Sequence, residues 1–180
     1  MSKRIYVISD LHLGHKNVLD FTIDGTDAKL RDFNSIQEMN GTIIDNWNNT
    51  VRDQDTVYVL GDIAWGEDSL LLMKAMKGKK ILVKGNHDNL WNVRKFLDVF
   101  QDVHGVKPIS FGEDSRCVLT HVPIHPDSVE RWGVNIHGHL HANNIDDPRY
   151  FNVSCEQVNY TPMDIREILY NLNTTTMEKV

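Results

Sequence analysis

The chain is poor in cysteine, in long apolar runs and in net positive charge. Only Cys117 and Cys155 occur in 180 residues, and they form no C-x-x-C pair. That excludes a disulfide scaffold and a thiolate zinc site, and it predicts a reduced, cytoplasmic protein. No apolar run approaches the ~20 residues of a membrane span, and polar residues arrive at Ser9 and Asp10, too early for a signal peptide. Nineteen basic against 25 acidic side chains leave a formal charge of −6, so no global basic field draws in long nucleic acid or an anionic membrane. The 41% hydrophobic and 24% charged residues, without any repeat, exclude disorder, collagen and coiled coil. What the sequence does have is nine histidines, many for an acidic chain.

Short β-branched runs alternate with amphipathic segments. Ile5–Ile8, Val57–Leu60, Ile81–Val83, Cys117–Leu119, Val134–Ile136 and Tyr150–Val153 read as strands. Ser35-Ile36-Gln37-Glu38 is a capping box, followed by Ile36, Met39, Ile43, Ile44 and Trp47 at helical spacing. Further helices are predicted over Asp68–Met76 and Leu90–Val99, with a last one opened by Thr161-Pro162 and running through Leu172. Phe21–Asn34 reads as an irregular surface loop, and Val106–Arg116 gives no clear signal. The alternation predicts an α/β fold: one domain over residues 1–172 and a frayed tail over 173–180.

The apolar runs end in polar residues of one kind. The first five are followed by Asp10 and His12, by Asp62, by Asn86, His87 and Asp88, by His121, and by His139 and His141. In α/β sheets, sites gather beyond the carboxyl ends of strands. Imidazole and carboxylate donors together suit Mn, Fe, Zn, Co or Ni. Asp10, His12, Asp62, Asn86, His121, His139 and His141 exceed the needs of one ion and point to two metals sharing a carboxylate, the arrangement that clamps a phosphoryl transfer. Gly61, Gly85 and Gly138 precede candidate ligands, where glycine permits a sharp turn.

Asp10-x-His12, Gly61-Asp62, Gly85-Asn86-His87-Asp88, His121 and Gly138-His139-x-His141 resemble, in order, the motifs of the calcineurin-like metallophosphoesterases. The likeness spans the chain and is nearest to the small stand-alone bacterial and phage members, through Ser9–Asn17 and Asn46-Trp47-Asn48. It implies a four-layer α/β/β/α sandwich of two mixed sheets flanked by helices. It implies a first metal on Asp10, His12, Asp62 and His141, and a second on Asp62, Asn86, His121 and His139, with Asp62 bridging. Manganese is the first expectation. His87 matches the family's non-ligand histidine that assists at the leaving oxygen, with Asp88 expected to hold its imidazole. The implied reaction is in-line attack of a metal-bridging hydroxide on a small phosphoester, read as a phosphodiester, with a nucleotide or cyclic nucleotide as a candidate. A phosphomonoesterase, a nuclease for short ends and a non-catalytic metal-bound scaffold are the alternatives. Ile63-Ala64-Trp65 after Asp62 departs from the protein Ser/Thr phosphatases of the family and disfavours that activity.

Four further residues are substrate candidates: His15 and Asn17 past the first ligands, Trp65 past Asp62, and His125 on the Pro123–Pro126 loop. His137 reads as a core histidine and His104 as a surface one, and Lys74–Lys84 as a solvated basic stretch. Two cations beside Asp10 and Asp62 would reverse the local sign of charge, so a small phosphate is the expected partner of an otherwise acidic surface. Oligomeric state is not legible.

Overall fold

The computed structural model describes residues 2–88, 93–111 and 115–177. Strands β1 (Ile5–Ile8), β2 (Thr56–Val59), β3 (Lys79–Val83) and β4 (Asp102–His104) run parallel in one sheet, closed by the antiparallel β9 (Met163–Asp164) in the order β4-β3-β2-β1-β9. A second sheet has the order β5-β6-β7-β8. There β6 (Arg116–Leu119), β7 (Val134–His137) and β8 (Tyr150–Asn152) are parallel and β5 (Lys107–Ser110) is antiparallel.

β2 is buried at every position, the mark of a central strand covered on both faces. Its Val59 shares one core with Leu119 and Ile136 of the second sheet, with Met39, Ile43 and Trp47 of helix α1 (Ile36–Thr50), and with Ile168 of helix α5 (Ile165–Met177). The result is two mixed sheets with flanking helices. Among the described residues, no helix is long and apolar enough to cross a membrane.

Helix α1 starts where the capping box puts it, with Ser35 Oγ accepting from the Glu38 N–H. The Glu38 carboxylate reaches past Ser35 to the Asn34 N–H. Asp68–Met76 divides into α2 (Glu67–Leu71) and a 3-10 turn, Leu72–Ala75. Of the helix predicted over Leu90–Val99, Val93–Leu97 (α3) is helical, while 90–92 and with them Trp91 lie outside the described residues. Thr161-Pro162 does not open the last helix. Met163 pairs with Val7 and Asp164 with Tyr6 first, and α5 begins at Ile165. It runs on to Met177, past the predicted tail boundary, and 178–180 lie outside the described residues.

Parallel pairing brings the carboxyl ends of β1, β2 and β3 to one edge, and those of β6, β7 and β8 likewise. The two edges meet where Ser9, just past β1, pairs with Ser154, just past β8. Ser9 N–H donates to the Val153 carbonyl at 2.9 Å, and Cys155 N–H returns a bond to Ser9 at 3.1 Å.

Candidate metal centre

Past β1, the backbone follows the segment past β2: Asp10 N–H bonds Gly61, His12 N–H bonds Asp62, and Leu13 N–H bonds Ile63, at 2.9 to 3.1 Å. This ladder needs unusual backbone. Asp10, His12, Asp62, His139 and His141 all hold positive φ, between 48° and 70°. Among the described residues only Asn159 and Tyr160 are further non-glycine cases. Left-handed backbone costs an ordinary L-residue about 1–2 kcal/mol, and such strain concentrates at functional sites. Five of the seven candidate ligands carry it.

Gly61 does make a turn, at φ 87°. Gly85 and Gly138 answer a different need: a Cβ at Gly85 would collide with Asp62 Oδ1, and one at Gly138 with Ser9 Oγ and Asp10 Oδ2. There glycine permits close approach of backbone to ligand rather than a turn.

Asp10 is fully buried. Its Oδ2 accepts from Ser154 Oγ and from the His139 N–H, both at 2.9 Å, while Oδ1 has no partner. His12 Nε2 is likewise buried and unpartnered. It lies 3.9 Å from Asp10 Oδ1 and 4.0 Å from Asp62 Oδ2, and His141 Nε2 lies 3.9 Å from Asp10 Oδ1. Two atoms bound about 2.0–2.2 Å from one ion lie no more than about 4.4 Å apart, so this spacing fits a cation. On the other side Asp62 Oδ2 is 3.4 Å from His121 Nε2, which is 2.7 Å from Asn86 Oδ1.

Two trios have mutual reach within 4.8 Å: Asp10, His12 and His141, and Asp10, Asp62 and His121. Asp10 belongs to both, where the resemblance implies Asp62 as the bridge. Asp62 Oδ2 nevertheless stands between His12 and His121, so both carboxylates lie between the two halves. His139 belongs to neither trio; its ring stands 5.1 Å from that of His121.

The proton arrangement follows from the partners. His121 Nδ1 faces the Leu60 carbonyl at 2.7 Å and His141 Nδ1 faces Glu156 Oε1 at 3.1 Å, both acceptors only, so Nε2 points into the site in each ring. Burial lowers the basicity of His121, but its bond to Asp62 and the charges of Asp10 and Asp62 outweigh this and raise its pKa. His141 is raised in the same way, burial being overcome by Glu156. Burial pushes the Asp62 carboxyl up, yet its contact with His121 and the His87 N–H brings it down to about 2. His12 and His139 are lowered, chiefly by burial, which keeps them neutral.

Asp88 is placed differently from the expectation. Its buried carboxylate accepts from the Gly85 N–H at 2.7 Å and from those of Asp62 and Ile63 at 3.0 Å, tying the ends of β2 and β3 together rather than holding the His87 ring. His87 is exposed. Its N–H donates to Asp62 Oδ1 at 2.9 Å, and its ring lies 6.1 Å from His12 and 6.2 Å from Trp65.

Of the substrate candidates, His15 and Trp65 come together: their rings stack at 4.4 Å and 11°, and His15 Nδ1 meets His12 Nδ1 at 3.3 Å. Trp65 keeps 55% of its surface exposed. Asn17 is exposed in the turn Lys16–Leu19. His125 is also on the surface, where its Nδ1 accepts from the Asp127 N–H at the start of α4 (Pro126–Val129). His137 is buried with Nδ1 on the Gly138 carbonyl, and His104 pairs with Asp102 at 3.0 Å. Lys80 of the basic stretch is buried, its ammonium on the Met76 and Gly78 carbonyls.

Two residues escaped the sequence reading. Arg31, in the Phe21–Asn34 loop, is fully buried, and its Nε bonds Glu156 Oε1 at 2.7 Å. The pair lies 125 residues apart in sequence, and no motif marks either member.

The sequence profile of the calcineurin-like phosphoesterases matches residues 3–164. An uncharacterised protein of Methanocaldococcus jannaschii is 33% identical over 176 residues, covering 91% of this chain and 88% of that protein. The Gene 66 protein of Mycobacterium phage D29 is 25% identical over 93% of this chain and 96% of its own length. Among solved structures, a protein of unknown function from Aquifex aeolicus superposes with a TM-score of 0.71 at 26% identity, covering 93% of this chain and 98% of that one. With its motifs at the sheet edges and its profile matched over nearly the whole length, the chain belongs to the calcineurin-like phosphoesterase family.

Proposed function

We propose that the chain is a phosphoesterase working with two divalent cations, manganese first, on a small phosphodiester such as a nucleotide or cyclic nucleotide. The observation that carries the reading is the buried, unpartnered pair Asp10 Oδ1 and His12 Nε2, facing His141 Nε2 and Asp62 Oδ2. A buried carboxylate oxygen without a donor is costly unless a cation meets it. Cations held there would polarise phosphoryl oxygens and supply hydroxide near neutral pH. Asp10, His12 and His141 would hold one, and Asn86, His121 and His139 the other, with Asp62 available to both. His87, anchored through its backbone and exposed at the ring, donates a proton to the departing oxygen. Trp65, one face on His15 and much of its surface open, favours a nucleoside or aryl group over a plain alkyl ester.

The formal charge of −6 argues against long nucleic acid as substrate. Two buried cysteines outside any disulfide suit the cytoplasm. The test is a panel of mononucleotides, cyclic nucleotides, dinucleotides and short single strands, given to the manganese-loaded protein. Chelator-sensitive turnover of a small diester is expected. Preference for monoesters would move the reading to a phosphomonoesterase, and for strand ends to a nuclease. No turnover of any phosphoester would leave a metal-bound scaffold.

A further inference from the structure

We infer that Arg31 and Glu156 are positioning residues that preset the half-site of Asp10, His12 and His141 for its cation; this rests on the two-cation reading above. The guanidinium of Arg31 is fully buried and makes four hydrogen bonds. Nη2 donates to the Asp10 carbonyl at 2.5 Å, Nη1 to the Leu11 carbonyl at 3.1 Å and to Met39 Sδ at 3.5 Å, and Nε to Glu156 Oε1 at 2.7 Å. The two carbonyls belong to the backbone in which Asp10 and His12 are both left-handed. One planar fork therefore grips the strained segment that aims both ligands.

The far end of the fork leads to the third ligand. Glu156 Oε1, already bonded by Arg31, also faces His141 Nδ1 at 3.1 Å. A carboxylate can only accept here, so His141 keeps a proton on Nδ1 and turns Nε2, the atom left for a cation, toward Asp10 Oδ1. A carboxylate behind a ligating imidazole fixes its tautomer and raises its ligand strength. One buried ion pair thus joins segments from near residue 10, near residue 31 and beyond residue 141. The other half-site has separate supports: His121 Nδ1 rests on the Leu60 carbonyl, and Asp62 on the His87 N–H. Asp10 stands in both trios but His141 in one, so a defect in Glu156, which acts on His141, should fall chiefly on one ion.

The experiment is a calorimetric Mn²⁺ titration of the metal-free protein, wild type beside Glu156→Gln, with melting temperatures of both metal-free forms. Gln keeps the shape and one acceptor oxygen but removes the charge. Expected is a loss of about 10–100-fold in affinity for one of two ions, with the other changed much less. Arg31→Lys, which keeps charge but replaces the fork with a single ammonium, should again weaken the ion of His141 more than the other if the Gln variant does not fold. In a His141→Ala background, Glu156→Gln should add nothing to the loss, because Glu156 acts through that ring. Two ions bound by Glu156→Gln as tightly as by wild type would overturn the inference. So would an equal weakening of both with a lowered melting temperature, which is a general structural defect. A wild type that binds no Mn²⁺ would overturn the two-cation reading itself and the inference with it.

Discussion

His121 Nε2 faces Asn86 Oδ1 at 2.7 Å while its Nδ1 is already engaged by the Leu60 carbonyl at 2.7 Å. Both ring nitrogens meet acceptors, so either a proton or a cation must lie between His121 and Asn86. In the metal-free chain it is the proton, in keeping with the raised pKa of His121, where Asp62 and Asp10 overcome the effect of burial.

Metal uptake should therefore release protons. His121 and His141 both titrate above the ordinary 6.5 in the metal-free chain, so below their pKa values a cation must displace their protons. Affinity should rise with pH through that window and level off above it. Calorimetry in two buffers of different ionisation enthalpy reads the released protons directly; a pH-independent affinity from about pH 6 to 8 would contradict the assignment of these rings as ligands.

His87 has an exposed ring and only its backbone is tied to Asp62. His87→Ala should keep its melting temperature and both ions, and lose about 10²–10⁴-fold in kcat, the range for a missing general acid. Unchanged hydrolysis would remove His87 from the reaction.

Asp88 gives the opposite signature. Asp88→Asn turns an amide NH₂ toward three backbone N–H donors, those of Asp62, Ile63 and Gly85. A loss of about 1–3 kcal/mol or more in urea unfolding is expected, before any effect on catalysis. Full stability with a selective loss of turnover would instead favour the imidazole-holding role that the motif suggests.

Gly138→Ala should damage the centre without touching a ligand side chain, because the new Cβ would strike Ser9 Oγ and Asp10 Oδ2. Overpacking of this kind costs about 1–3 kcal/mol, and here Ser9 and Asp10 are what must move. Mn²⁺ affinity should fall together with the melting temperature; wild-type affinity in this variant would mean that Asp10 does not ligate.

Trp65→Leu should raise KM for nucleoside diesters and leave it unchanged for small alkyl diesters, since it removes the exposed ring stacked on His15. Equal effects on both classes would deny Trp65 a role in choosing the substrate.

How much was legible follows from what makes each element. β1, β2, β3, β6, β7 and β8 announce themselves because their apolar residues are buried by sheet and helix together. β4, β5 and β9 do not: β4 is Asp-Val-His at a sheet edge, β5 contains Pro108, and β9 has two residues held by pairing with β1. Asp10, His12, Asp62, Asn86, His121, His139 and His141 are legible because ligand chemistry restricts their types and strand ends restrict their places. Arg31 and Glu156 are not, since their meaning lies in a contact across 125 residues of sequence and their types recur on any surface. Asp88 was visible as a motif residue, but its three backbone partners exist only after β2 and β3 are paired.

The central claim is that two cations held between Asp10, Asp62 and the histidines hydrolyse phosphodiesters. Its most direct test is turnover of bis(p-nitrophenyl) phosphate by the metal-free protein as Mn²⁺ is added, with Asp62→Asn beside it. The expected result is activity that climbs to a plateau at two equivalents, vanishes with chelator, returns with Mn²⁺ and is lost in the variant. Turnover indifferent to Mn²⁺ and chelator, or no turnover with two ions bound, would contradict it.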